Sequence, residues 1–196
     1  MRRGSLLALV AVIAALCGAG CTSKPTFNAV DITGSSYAQN FALTDASGAT
    51  RTLADYRGKV VALFFGYTQC PDVCPTTMAD LARVKSSLGA DGARLQVLFV
   101  TLDPERDTPA LLAEYVPNFD PSFVGLWGNP EQIAHTARDF KVFYQKVPEA
   151  TPATYTLDHT AGTFVFDPAG HVRLFIRYGE PEPAIASDLR QLLAGS

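Results

Sequence analysis

Residues 60–75 read VVALFFGYTQCPDVCP: an apolar run from Val60 closed by Gly66, then a loop that carries Cys70 and Cys74. A run rich in Val and Phe, with no polar residue on either alternation, fits a strand buried on both faces. Beyond the loop, residues 76–88 place apolar side chains at Met78, Leu81, Val84 and Leu88, a helical spacing, and Gly89 offers a stop. The two cysteines therefore join the carboxyl end of a buried strand to the start of a helix. In open α/β sheets, sites gather at that end of the strands.

The pattern continues outward. Leu95 to Leu102 (LQVLFVTL) is a second buried strand, and Phe123 to Trp127 a third candidate. Thr108-Pro109 and Asn129-Pro130 each place a capping side chain before a proline at the first helical position, opening helices to about Asn118 and Phe140. Val142 to Lys146 is a short edge strand. Residues 163–167 and 172–177 flank Pro168-Ala169-Gly170 as a hairpin, and residues 182–193 form the closing helix. Upstream, Phe41 to Thr44 and the Ser47-Gly48 turn suggest an N-terminal hairpin extension. Strands alternating with helices give an α/β class, a central mixed sheet flanked by helices. A strand, a cysteine pair opening a helix and a late hairpin follow the order of a thioredoxin-like fold.

At 196 residues with 47% hydrophobic and 18% charged residues, the chain suits one domain with a sizeable core, and disorder is excluded. A net charge of -3 leaves no basic surplus for a phosphate backbone, which argues against nucleic-acid binding. Four cysteines are too few for a disulfide scaffold.

The first residues read as an address. Met1-Arg2-Arg3 precedes the apolar run Leu6 to Leu16, then small residues up to Cys21, which describes a secretory signal over 1–20. The run is too short for a spanning helix. Ala19-Gly20-Cys21 resembles a bacterial lipobox, with Gly18 where that signal usually has Leu. The resemblance implies lipidation of Cys21 and tethering on the extracytoplasmic face of a bacterial membrane, the periplasmic side where there are two. There disulfides can form. Residues 21–40, polar and aperiodic, are expected to be a flexible tether, with the folded domain at 41–196.

The thiols leave several chemistries open. A helix N-terminus favours thiolate. Two thiols in this setting can form a reversible disulfide, grip a thiophilic metal, or serve structure alone. The usual dithiol redox motif has two intervening residues, whereas here three intervene, a wider loop able to bring both sulfurs to one ion. Of the three histidines, His135 lies inside a helix and His171 follows a turn. His159, in Asp158-His159-Thr160, is expected in the loop before the strand at 163–167. In a thioredoxin-like fold that loop faces the cysteine loop, so its imidazole would complete a two-sulfur, one-nitrogen site. Read alone, it is as readily an ordinary loop histidine. Thiolate selects Cu(I), and thiolate with imidazole also suits Cu(II), although zinc uses the same atoms.

GYTQCPDVCPTTMADL at 66–81, TLDPERDTP at 101–109 and DHT at 158–160 resemble the Sco/SenC family. FALTDASG and LADYRGKVVALFFGYT also fit that family's opening, and the likeness spans about 41–194 in order. The family comprises membrane-tethered, thioredoxin-fold copper chaperones for cytochrome c oxidase assembly. The resemblance implies one copper, Cu(I) or Cu(II), held by Cys70, Cys74 and His159. It implies delivery to the binuclear copper site of oxidase subunit II or preparation of its thiols, with an upstream copper donor and a thiol reductant as further partners. Three protein ligands leave a position for a partner's ligand, which suits transfer. Asp158 either orients the ring of His159 or is a solvated acid. The charged stretch Asp103, Glu105, Arg106 and Asp107 supports the site, meets a partner, or caps the helix at Thr108.

On this reading the protein is not an enzyme, with thiol–disulfide exchange as an accessory activity. The main alternative is an extracytoplasmic thiol–disulfide oxidoreductase using the same two cysteines on a partner's thiols. Such enzymes generally place a proline directly before the strand facing the dithiol. Here the nearest upstream prolines are Pro148 and Pro152, and His159 occupies the neighbourhood. Val73-Cys74-Pro75-Thr76 also resembles the peroxiredoxin active-site stretch, but Pro71 stands where that chemistry needs Thr.

Overall fold

The computed structural model describes residues 25–148 and 155–195. The expected signal at 1–20 and the lipidation site Cys21 lie outside the described residues.

In chain order the strands and α-helices are β1 (Val30–Asp31), β2 (Leu43–Asp45), β3 (Thr50–Arg51), β4 (Val60–Gly66), α1 (Val73–Ser87), β5 (Leu95–Thr101), α2 (Pro109–Tyr115), β6 (Val124–Trp127), α3 (Pro130–Asp139), β7 (Tyr144–Pro148), β8 (Tyr155–His159), β9 (Gly162–Phe166), β10 (Val172–Arg177) and α4 (Glu182–Leu193). An eight-stranded mixed sheet runs β1-β10-β9-β4-β5-β6-β2-β3, and β7-β8 forms a separate two-stranded sheet.

The apolar runs at 60–66 and 95–101 are the middle of the sheet because every residue in them is buried. Side chains alternate between the two faces. Phe64 and Phe99 pack towards Tyr115 of α2, while Phe65 and Phe164 meet Phe140 at the end of α3. The core thus lies on both sides of the sheet.

Pairing register sets where the chemistry sits. β4 and β5 are parallel and end flush, Gly66 opposite Thr101. Their following loops, 67–72 and 102–108, emerge side by side. β9 is antiparallel to β4, with Thr163 opposite Phe64, so the chain entering β9 arrives at this same end. That chain is β8 with its terminal His159.

Three expectations need correction. Helix α1 begins at Val73 rather than Thr76. Pro75 falls in the first turn, where its missing N–H leaves no helical hydrogen bond unmade. His159 ends a strand rather than lying in a loop, pairing with Tyr144 across β7–β8. The described part of the expected tether is docked: β1 pairs antiparallel with β10, and buried Asp188 accepts from the backbone N–H groups of Asn28 and Ala29. A polar, aperiodic sequence hides such docking because the contact is made by its backbone. The hairpin of β2 and β3 extends the opposite edge of the sheet beyond β6, as expected.

Candidate metal centre

Gly66 ends β4 without a side chain, and that absence admits the sulfur of Cys74. A Cβ at Gly66 would stand 2.9 Å from that Sγ and 2.8 Å from the Phe64 ring. Cys74 is fully buried in the first turn of α1, while Cys70 is half-buried in the loop before it. The first N–H groups of a helix lack helical acceptors. Here the N–H of Cys74 donates to Sγ of Cys70 at 3.4 Å.

His159 reaches the pair from across the sheet end. Its Nε2 lies 3.7 Å from Sγ of Cys74, and its Nδ1 lies 3.1 Å from the carbonyl oxygen of Thr160. That carbonyl is an acceptor only, so Nδ1 carries the proton and Nε2 presents a lone pair to the sulfur. The rings of Phe64 and Tyr67 meet the imidazole edge-on, each with centroids 6.1 Å away. Asp158, exposed on the neighbouring position, does not hold the ring; the Thr160 carbonyl does.

The two thiols share a proton unequally. Cys70 is held down to about 3, first by the hydrogen bond from the Cys74 thiol, against the opposing effect of burial, and further by the backbone N–H groups of Asp72 and Cys74. Cys74 is pushed up by its hydrogen bond to Cys70 and by burial. The resting pair is a thiolate at 70 and a thiol at 74. Among the described residues no three His, Cys, Asp or Glu side chains already close on one point as a metal cage. An ion held by both sulfurs would take the place of their shared proton. A cleft of about 300 Å³, lined by Tyr67, Cys70, Pro71, Asp72 and His159 among others, opens this site to solvent.

The loop after β5 braces both halves. Buried Asp107 accepts from the N–H and hydroxyl of Thr68 at 3.1 and 2.6 Å and from the hydroxyl of Thr101 at 2.7 Å. Burial raises its carboxyl above the ordinary range, and the two threonines oppose that rise. Asp103 and Arg106 form an ion pair beside Tyr155. Of the readings open for this stretch, site support applies to Asp103, Arg106 and Asp107, and Thr108 caps α2 by accepting from Leu111 at 3.2 Å. Glu105 faces outward to Lys146. His135 and His171 are exposed, paired with Asp139 and Asp167.

The SCO1/SenC family model matches residues 30–194. The chain belongs to the SCO1/SenC family. It is 41% identical over 133 residues to the mitochondrial SCO2 homolog of Bos taurus, covering 67% of this chain and 50% of that protein. The chain thus spans about half the length of the mitochondrial SCO2 relatives it matches. Among solved SCO1/SenC structures, copper-bound ScoI of Bradyrhizobium japonicum is 38% identical with a TM-score of 0.71, over 79% of this chain and 98% of that one. Apo Sco1 of Thermus thermophilus is 41% identical with a TM-score of 0.76, over 86% and 98%. The thioredoxin-like α/β fold with its central mixed sheet is that of these relatives.

Gln69 and Tyr155 were not singled out in the sequence, yet both touch this site's frame. Gln69 stands next to Cys70, and Tyr155 begins the strand that His159 ends. Period-two alternation in Tyr155-Thr156-Leu157 was the available signal for that strand.

Proposed function

We propose that this protein is a membrane-tethered copper metallochaperone of the SCO1/SenC family. It binds one copper through Cys70, Cys74 and His159. It delivers that ion to the binuclear copper site of cytochrome c oxidase subunit II, or prepares the thiols there. The observation that carries the reading is the placement of Nε2 of His159 at 3.7 Å from a buried thiol that is itself bonded to a thiolate. Copper-bound structures of the Bradyrhizobium and yeast relatives support the choice of metal.

The chain's own groups account for the chemistry of capture. Cys70 already offers a thiolate, Cys74 gives up the proton between the sulfurs, and the Thr160 carbonyl keeps Nε2 free of hydrogen. Two thiolates and a neutral imidazole suit both Cu(I) and Cu(II). Cys70 and His159 line the open cleft, so an incoming thiolate of a partner can reach the ion from solvent. The signal at 1–20, lipidation at Cys21 and an extracytoplasmic location belong to this proposal. So do a copper donor and a reductant that keeps the thiols reduced.

Anaerobic Cu(I) titration against a chromophoric chelator tests it. The reduced protein should bind one equivalent, and the disulfide form should not compete. Cys70→Ala, Cys74→Ala and His159→Ala should each weaken binding sharply, and unchanged affinity in His159→Ala rejects the ligand set. Loss of membrane association in Cys21→Ser tests the anchor.

The low-lying Cys70 thiolate also favours a second reading, thiol–disulfide exchange with a partner. Cys70 would attack the partner's disulfide and Cys74 would resolve the mixed disulfide. Rapid transfer to an oxidised target peptide that persists in His159→Ala would favour this reading over the chaperone.

A further inference from the structure

The two halves of the site are carried by separate pieces of structure. Cys70 and Cys74 belong to the loop and helix that follow β4. His159 belongs to β7–β8, which among the described residues pairs with no strand of the eight-stranded sheet. A cleft of about 410 Å³, lined by Asp103, Pro104, Tyr144, Lys146 and Leu157 among others, lies between this hairpin and the loop after β5. Leu157 is buried in the core, and Tyr144 and Tyr155 pack against it, so apolar contact holds the inner side of the hairpin. Across the cleft it is held by side-chain ties.

One guanidinium makes the tie that also reaches the cysteine loop. Nη1 of Arg106 donates to the carbonyl oxygen of Tyr155 at 2.9 Å and to Oε1 of Gln69 at 3.0 Å. It thus bonds the first residue of the His159 strand and the residue beside Cys70 at once. The guanidinium also lies over the Tyr155 ring, 3.6 Å from its centroid. Nε of Arg106 donates to Asp103, which is 2% exposed, and the other Asp103 oxygen accepts from the Tyr155 hydroxyl at 2.8 Å. The charge is paired where it is buried, and bonds from Nε and Nη1 fix direction as well as distance, while Nη2 is buried without a hydrogen-bond partner. Lys146 and Glu105 tie the hairpin again at 2.7 Å, but both are largely exposed, and exposed pairs hold little.

We propose that Arg106, oriented by Asp103, is the positioning residue that fixes the distance between His159 and the two cysteines. It touches neither the sulfurs nor the imidazole. It acts through Tyr155, because a strand as short as β8 transmits a tilt at its first residue to its last. This inference rests on the copper reading for its function, though the clamp itself can be observed without metal.

Two experiments test it. Amide hydrogen exchange on the copper-free reduced protein comes first. Arg106→Gln should speed exchange in β8 while leaving β4 and β5 protected; unchanged protection in β8 overturns the clamp whatever the metal does. The second is a double-mutant cycle in Cu(I) affinity. Arg106→Gln should weaken binding about 10- to 100-fold, the range for residues that orient metal ligands. It should have no further effect in His159→Ala, since it works through that ring. An equal loss in both backgrounds, or none in either, overturns the proposal. Tyr155→Phe keeps the ring under the guanidinium and removes only the hydroxyl bond to Asp103. It should give a smaller loss in the same cycle, and it stands in if Arg106→Gln does not fold. Glu105→Gln, which breaks only the exposed tie, should leave both readouts unchanged. If the unmutated protein binds no copper, the chaperone reading falls and the exchange experiment alone decides the clamp.

Discussion

Sγ of Cys74 lies 3.7 Å from Nε2 of His159 across 85 residues of chain. Strand direction produces this approach. β4 runs towards the cysteines and ends at Gly66, while β9 starts beside Phe64 and runs back, so the residues just before β9 must pass the cysteine loop. The approach closes because Gly66 leaves room for the sulfur and the Thr160 carbonyl turns the ring.

The proton between the thiols makes Cys70 the reactive one. In the reduced, copper-free protein, iodoacetamide should label Cys70 far faster than Cys74 at pH 6, followed by peptide mass spectrometry. The largest cause of the low Cys70 value is the Cys74 thiol, so Cys74→Ala should move the midpoint of Cys70 labelling up from about 3 towards the ordinary 9.0. Copper capture should also release about one proton per ion at pH 8, since only one thiol remains protonated. Calorimetry in buffers of different ionisation enthalpy measures it. First labelling at Cys74 would reverse the assignment.

Gly66→Ala should damage the site and the core together. The new methyl would press on Cys74, Phe64 and Phe99 inside a strand with no exposed residue. Overpacking of this kind costs about 1–3 kcal/mol. Urea unfolding measures that loss, and Cu(I) affinity should fall in parallel because the Cys74 sulfur has to move. Full retention of both would mean that the sulfur has another place to go.

Asp107 gives a pH signature. Its folded pKa is raised from the ordinary 3.8 by burial. A raised carboxyl favours the folded state below the unfolded pKa, and that contribution is lost as pH rises through the folded value. Asp107→Asn keeps an acceptor for the Thr68 N–H and Thr101 hydroxyl and cannot ionise. The stability of the original protein relative to this variant should therefore decline as pH rises from below 3.8 through the folded pKa, read by urea unfolding. Asp107→Ala instead leaves buried donors unpaired, at about 1–3 kcal/mol each. A flat difference profile would place the carboxylate in a better solvated setting.

The parts of the fold that bury side chains were legible, and the parts that bury backbone were not. Val60–Gly66 announces itself because a doubly covered strand has no tolerance for polar residues. Thr108 and Asn129 mark helix starts because a cap is a local event, and both accept the hydrogen bonds their type implies. The cysteine pair was legible as chemistry; its meeting with His159 came from the family resemblance, since His159 read alone was as readily an ordinary loop histidine. β1 and β3, each two residues long, leave no periodicity to read. The bracing of the site was partly legible. The acids and Arg106 stood out as a charged loop, but which of them turn inward depends on Thr68, Thr101 and Tyr155, distant in sequence and unremarkable in type.

Asp188 should govern the N-terminal segment without governing the site. Its carboxylate accepts from Asn28 N–H at 3.0 Å, from the Asn28 amide at 2.9 Å and from Ala29 N–H at 2.8 Å, on a residue with no exposed surface. Beyond these bonds, Val30 and Asp31 pair with the edge of β10, the Ile32 N–H donates to the Arg173 carbonyl and Gln191 donates to the Thr26 carbonyl. Asp188→Ala should therefore cost about 1–3 kcal/mol for the buried Ala29 N–H left unpaired. The loss should be local: faster hydrogen exchange and earlier proteolytic cleavage at 27–33, with a small drop in thermal midpoint. β9 stands between β10 and the strand that leads to the cysteines, so Cu(I) affinity should not change. A copper affinity that falls with Asp188→Ala would mean that the edge of the sheet and the metal centre are coupled. The N-terminal segment would then be part of the site's frame rather than a length of chain secured beside it.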